Sequence, residues 1–201
     1  MLSFPAAERN SGPILEVFKE RLSTQVNLVS IEIGSGSGQH VTLFAKNFPN
    51  ITWNPTDISE ENITSVKCYI EANNLTNVNA PKLLDASNPE WGYDDSSIDI
   101  IYSANVIHIS PFCVAEGIFA AAGKLLKKGG MLAFYGPFAD GGVLEPESNV
   151  AFDRSLKERN SSWGIRDITN DLSKLANNGH LELTFIHNMP ANNKMLFYVK
   201  Q

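Results

Sequence analysis

Only two cysteines occur in the 201 residues, Cys68 and Cys113, with no CxxC pair and no Cys/His spacing suited to a metal. A disulfide framework and a structural zinc site are therefore not expected, and two reduced thiols fit a cytoplasmic protein. His40, His180 and His187 form no ligand pattern either, so no metal is expected. Positive charge is in deficit: 16 Lys and Arg face 22 Asp and Glu, giving −6, and apart from Lys127-Lys128 the basic residues are scattered. Bulk binding to a phosphate backbone needs a clustered positive surface, so nucleic acid is disfavoured and a small molecule or a protein is the expected partner. No long apolar run is present, the most apolar stretch, Val106 to Gly123, being broken by His108, Ser110, Pro111 and Glu116. The first nine residues lack a basic flank followed by an apolar core, so neither a secretion signal nor a membrane anchor is expected. Repeats and low-complexity tracts are also missing, and one domain spanning 1–201 accounts for the chain. None of this fixes the oligomeric state.

What is present centres on Leu28 to His40. Apolar chain, Leu28-Val29-Ser30-Ile31-Glu32-Ile33, runs into Gly34-Ser35-Gly36-Ser37-Gly38, and a helical pattern follows at Val41, Leu43, Phe44 and Ala45. Strand, tight loop and helix in that order make a nucleotide-type cradle, because glycines let a ligand approach the backbone and permit positive φ.

The pattern around this loop alternates. Ser11-Gly12-Pro13 opens a predicted helix with Ile14, Leu15, Val17, Phe18 and Leu22 on one face. Strands are predicted at 51–56, 81–84, 98–103 and 131–135, with helices at about 59–73, 112–126, 148–158 and 167–178. Lys127-Lys128-Gly129-Gly130 reads as the C-terminal stop of the helix from Phe112. Strands at 181–187 and 195–199 close the chain, and their short linker forces an antiparallel pair if they are neighbours. A doubly wound, mostly parallel sheet follows, with its ligand beyond the C-terminal strand ends. Those ends carry Gly34 to Gly38, Asp57, Asp85, Asn105 and Tyr135.

A dinucleotide fingerprint wants a third glycine where Gln39 stands, and no Gly-Lys-Ser/Thr follows, which excludes a Walker loop. Asp57 lies 19 positions after Gly38, near the separation at which a strand-end carboxylate reaches an adenosine ribose. Asp85 is placed to accept from an adenine amino group. Each Asp has an alternative role, capping the helix after its strand.

Glu32-x-Gly34-x-Gly36-x-Gly38, Asp57 and the closing strand pair resemble the class I S-adenosylmethionine-dependent methyltransferases. More closely, Ala6-Ala7-Glu8-Arg9-Asn10, Ala104 to Ser110, Tyr135-Gly136-Pro137, Trp163-Gly164-Ile165-Arg166-Asp167 and Pro190 to Lys194 resemble the methyltransferase-like protein 26 family. The resemblance implies a three-layer Rossmann-like fold whose seven-stranded sheet carries an antiparallel last strand between strands 5 and 6. It implies S-adenosylmethionine as cofactor, with Gly34, Ser35, Gly36 and Gly38 under the methionine and ribose. Glu32 would orient the loop or the amino group, Asp57 would hold the ribose hydroxyls, Asp85 would sit near the adenine and Asn105 near the methionine. The implied reaction is methyl transfer to a small-molecule or protein acceptor. Two alternatives remain: a non-catalytic cofactor-binding protein acting through a partner, and a nicotinamide-dependent oxidoreductase, which Gln39 and the closing strands oppose. The Asn/Asp-Pro-Pro-Tyr motif of enzymes that methylate nucleic-acid amino groups is absent.

Candidates for the chemistry lie beyond the loop. His108, three residues past Asn105, is the candidate base because an unperturbed imidazole titrates near neutrality; packing against the next helix is its alternative. Tyr135 offers a hydroxyl at the mouth of its strand. Arg9 and Asn10 are candidates for a lid over the cofactor, or for a surface loop with an ion pair. Asp153, Arg154 and Arg166 occupy the segment after strand 5, where an Arg clamp on a substrate anion and a plain surface ion pair are both open. Asn192-Asn193 offer amides to a ligand or simply turn the chain. Cys113 is expected to pack inside the protein.

Overall fold

The computed structural model describes every residue from Met1 to Gln201. Helix α1 (Pro5–Arg21) leads into β1 (Leu28–Ile33), α2 (Gln39–Asn47), β2 (Ile51–Asp57), α3 (Glu60–Ala72) and β3 (Lys82–Leu83). Next come β4 (Ile98–Ala104), α4 (Phe112–Leu125), β5 (Leu126–Gly136), β6 (Phe138–Ala139), α5 (Glu147–Arg159) and β7 (Arg166–Asp167). A π-helical turn (Ile168–Leu172) runs into α6 (Ser173–Asn178), and β8 (Leu181–Met189) and β9 (Asn193–Lys200) close the chain.

Seven strands form one sheet in the order β3-β2-β1-β4-β5-β9-β8. The first five are parallel, and β9 is inserted antiparallel between β5 and β8. This is the Rossmann-like methyltransferase architecture. Because side chains alternate across a strand, the sheet feeds two cores. Ile100, Tyr102 and Phe197 meet Phe18 of α1 and Phe44 of α2 on one face. Ile101, Phe134 and Tyr198 meet Phe119 of α4 and Ala176 of α6 on the other. Both faces are covered, which is why β4 reads as nearly continuous apolar chain.

Three expectations are corrected. Helix α1 starts at Pro5, a proline suited to the first helical turn, and Pro13 lies inside it. Pro13 removes only the bond to the Arg9 carbonyl, while the added turns place Phe4, Ala6, Ala7 and Asn10 on the strand-end crevice. Lys127 and Lys128 do not end α4: Leu126 already pairs with Ile98, and Lys127 Nζ sits 2.8 Å from both Asp99 carboxylate oxygens. Finally, a small parallel pair, Phe138 with Arg166 and Ala139 with Asp167, ties the segment after β5 to itself, where the sequence shows only turn residues.

Candidate functional site

A crevice of about 580 Å³ opens at the C-terminal ends of β1 to β4. That volume is ordinary for a small-molecule site, and the position is where open α/β sheets bind ligands. Its floor is the glycine loop. Gly38 has φ +96 at the entrance to α2, and a Cβ there would lie 3.1 Å from the Val66 Cα of α3. The residue must therefore be glycine both for its backbone and for the close approach of α3. Gly34 and Gly36 also have positive φ, and the Phe4 ring covers Gly36.

Asp57 joins the loop to α3. Its Oδ2 accepts from the Gly36 N–H at 2.8 Å, while Oδ1 accepts from the Ser59 N–H at 2.9 Å and from Asn62 Nδ2 at 3.0 Å. Ser59 itself is the helix cap, accepting from the Asn62 N–H. Asp57 thus braces the loop and the helix start together. A carboxylate oxygen accepts two bonds, so Oδ2 keeps one lone pair for the crevice that Asp57 lines.

Of the other candidates, Asn10, Gly34, Ser35, Gly36, Asp85 and Asn105 line the crevice. Asp85 is exposed, and bonds from the Ser87 hydroxyl and N–H hold its carboxyl below the usual range. Asn105 adopts φ +58, a region asparagine tolerates, and its N–H donates to the Tyr135 carbonyl at 2.8 Å. Glu32 lies under the loop, 2% exposed, with Oε2 unpaired. Burial raises its carboxyl to about 7, against the Ser35 hydroxyl, which lowers it, and Asp57, which adds to the rise.

Glu32, His108, Tyr135, Arg9 and Gly38 are not among the crevice-lining residues. His108 is 2% exposed, packed edge-on against Phe152 and pressed to Gly136, with Nδ1 unpaired. Burial, then the Arg166 charge, lowers its imidazole to about 4. Tyr135 is buried behind the crevice, its hydroxyl raised by burial and lowered by Asn10 and the Arg9 charge. Arg9 is exposed.

A relay not visible in the sequence ties α1 to the site. Asn10 Oδ1 lies 2.7 Å from His40 Nε2, and the Tyr102 hydroxyl lies 3.4 Å from His40 Nδ1. An amide oxygen only accepts, so Nε2 carries the ring proton and Tyr102 donates to Nδ1. Burial lowers His40 to about 4, which keeps this neutral form.

Arg166 does not face a substrate: its guanidinium donates to the Ile107, Ser110 and Ser162 carbonyls. Asp153 accepts from Lys157 and the Ile165 N–H, and Arg154 is exposed. Asn193 bonds within the final turn, to the Pro190 and Ala191 carbonyls, whereas Asn192 reaches Ser148 of α5. Cys113 is exposed rather than packed inside, because it falls on the outer side of the first turn of α4. Residues that sequence reasoning passed over also line the crevice, namely Phe4, Ile58, Val106, Ile109 and Trp163. Ile58 was the legible one, a large apolar residue directly after Asp57; it is 70% exposed. No group of three or more His, Cys, Asp or Glu side chains converges on a point, and no helix is long and apolar enough to cross a membrane.

A family model described as a protein of unknown function (DUF938) matches residues 1–200. Solved structures share the fold at low identity. Geranyl diphosphate C-methyltransferase from Streptomyces coelicolor A3(2), in complex with Mg2+, geranyl diphosphate and S-adenosylhomocysteine, is 9% identical with TM-score 0.76, over 96% of this chain and 82% of that one. A complex between the Haloferax volcanii Trm112 methyltransferase activator and the putative methyltransferase gives 14% and 0.75 over 96% of this chain and 92% of that one. An O-methyltransferase family protein from Burkholderia thailandensis gives 18% and 0.75 over 98% of this chain and 57% of that one.

Proposed function

The chain belongs to the DUF938 family, and on that premise we propose that it is a single-domain, cytoplasmic S-adenosylmethionine-dependent methyltransferase acting on a small-molecule or protein acceptor. The closer likeness to the methyltransferase-like protein 26 family rests on the motifs quoted above and belongs to the same proposal. One observation carries the reading: the Asp57 carboxylate, bonded to the Gly36 N–H, lines the crevice at the ends of β1 and β2 with Asp85 and Asn105 beside it.

The residues present fit the cofactor. Gly34 and Gly36 line the crevice without side chains, Asp57 retains an acceptor position for a ribose hydroxyl, and Asp85 presents an ionised carboxylate beside the apolar Leu84 and Ala86 for an adenine amino group. Ser35 Oγ on the crevice, with the buried Glu32 carboxyl beside it, supplies polarity under the loop for an ammonium. Bound there, S-adenosylmethionine supplies a methyl group on a sulfonium, an activated leaving group for in-line displacement. The protein then has to align the acceptor and exclude water. The Asn10 side-chain amide is held at a fixed place on the crevice wall by His40, and the Asn105 backbone is held there by the Tyr135 carbonyl. His108 is the proposed base, with Tyr135 the proposed hydroxyl contact; burial lowers the His108 imidazole to about 4, which keeps it neutral at pH 7 but weakens it as a base.

Calorimetry with S-adenosylmethionine and S-adenosylhomocysteine tests the cofactor: micromolar binding is expected, and no heat at millimolar ligand would end the proposal. Labelled-methyl transfer into a fractionated extract, beside an Asp57→Ala control, tests turnover. The burial of His108 away from the crevice lining favours a second reading, a cofactor-binding protein that works through a partner, as the Haloferax structure pairs its putative methyltransferase with an activator. That protein would bind S-adenosylhomocysteine yet label nothing.

A further inference from the structure

Trp53 and Trp91 are buried in the two cores, whereas Trp163 is partly exposed and lines the crevice with Val106, Ile109 and Pro111. Its segment, residues 160–165, has no helix or strand of its own. Its position is set by a latch. The Arg166 Nε donates to the Ile107 carbonyl at 2.9 Å, and Nη2 donates to the Ser110 carbonyl at 2.6 Å and the Ser162 carbonyl at 3.2 Å. The first two carbonyls belong to the loop after β4 that brings Val106 and Ile109 to the crevice. The same guanidinium lies 5.4 Å from the Phe112 ring centre.

The other side of the segment is pinned as well. The Gly164 N–H donates to the His108 carbonyl at 3.0 Å, and the Ile165 N–H donates to Asp153 Oδ1 at 2.8 Å. Gly164 has φ +155, and a Cβ there would come within 3.0 Å of both Asp153 Oδ1 and Lys157 Cε. Trp163 is therefore a rigid aromatic surface turned toward the ligand space from a segment outside the main sheet. Arg159 stacks on the indole at 5.1 Å, adding support from α5.

Resting on the cofactor reading above, we propose that Trp163 is a wall of the cofactor site whose indole packs against the adenosyl base, and that Arg166 is the positioning residue that sets it. The chemistry suits a planar heteroaromatic ring. Trp163, Ile109 and Val106 supply an apolar surface for its face, and Asp85 in the same crevice supplies an acceptor for its exocyclic amine. A base covering a partly exposed indole gains stacking that every purine face can provide. The planar guanidinium reaches three carbonyls at once, which the single ammonium of lysine cannot reproduce.

The test is a titration with S-adenosylhomocysteine followed in parallel by calorimetry and tryptophan fluorescence. Wild type should show a fluorescence change that saturates with the calorimetric Kd. Trp163→Phe should abolish that change while keeping affinity, since a smaller aromatic face remains. Trp163→Ala should weaken binding by about 5- to 150-fold, the range of a lost base–aromatic stack. Arg166→Lys, with the indole retained, should weaken binding and blunt the fluorescence change. If wild type binds by calorimetry while its fluorescence stays constant, or Trp163→Ala binds like wild type, the wall assignment is overturned and the cofactor reading stands. If Arg166→Lys behaves as wild type in both readouts, its positioning role is overturned. No binding by wild type would overturn the cofactor reading and this assignment with it. Should Trp163→Ala fail to fold, the Trp163→Phe comparison decides the point alone.

Discussion

Replacing Asp57 separates a brace from a ligand contact, because its carboxylate is committed to both. Asp57→Ala strands the Gly36 and Ser59 N–H donors, now held at 2.8 and 2.9 Å, and releases Asn62 Nδ2. Hydrogen bonds to an ionised group contribute roughly 1.5 to 3 kcal/mol each. Two partly buried backbone donors at the lower end of that range make the loss about 3 kcal/mol. For a chain of this size 1 kcal/mol moves Tm by about 2–4 °C, so the ligand-free variant should melt about 6–12 °C lower. Asp57→Asn keeps one acceptor oxygen and turns an amide nitrogen toward one of the donors, so it should lose about half as much. Affinity for S-adenosylhomocysteine should fall at least about tenfold in both variants, the equivalent of one hydrogen bond to a charged group. Scanning calorimetry of the free protein and titration calorimetry with the ligand read the two effects separately. An Asp57→Ala protein that melts with wild type would refute the bracing argument. One that melts lower yet binds ligand with wild-type affinity would leave Asp57 as a cap and nothing more.

Other outcomes follow from the same geometry. Gly38→Ala forces a side chain into φ +96 and against the α3 backbone 3.1 Å away; a loss of about 2 kcal/mol is expected from the strain alone, and a thermal melt within error of wild type would contradict it. Glu32 holds its proton up to about 7 in the folded state, against 4.5 for a glutamate side chain free in water. The folded state therefore binds more protons between those values, and stability falls as pH rises through that window, by on the order of 3 kcal/mol. Glu32→Gln should remove this slope and gain on wild type at pH 8; parallel stability curves for the two proteins would show that Glu32 is not the group responsible. His40 and His108 act in the opposite sense, both lowered to about 4, so their contribution is lost as pH falls from about 6.5 through 4. Deleting residues 1–4 removes the Leu2 N–H bond to Ser65, the Phe4 N–H bond to Gln39 and the Phe4 ring over Gly36. Stopped-flow release of S-adenosylhomocysteine should quicken severalfold, and an unchanged release rate would show that this segment does not cover the ligand.

The alternation of strands and helices, the glycine loop after β1, the acids at the ends of β2 and β3, and the antiparallel closing pair were all legible along the chain. Each is written in local chemistry: the period of apolar residues, glycines where φ turns positive, a linker too short for a crossover. The start of α1 was not legible, because Pro13 looks like a first-turn proline and only packing over the crevice explains why the helix extends back to Pro5. Nor could the sequence say that His108 and Tyr135 sit outside the crevice lining, that His40 holds Asn10, or that Arg166 serves three carbonyls. Apart from the Ser162 carbonyl, four positions before Arg166, those bonds join residues 30 to 59 positions apart, and the rest depends on which way a side chain turns off a loop. Spacing along the chain carries no information about either. Trp163 shows the division most clearly: its residue type marked a motif, but only the folding of the segment after β5 against the loop after β4 brought its indole to the crevice.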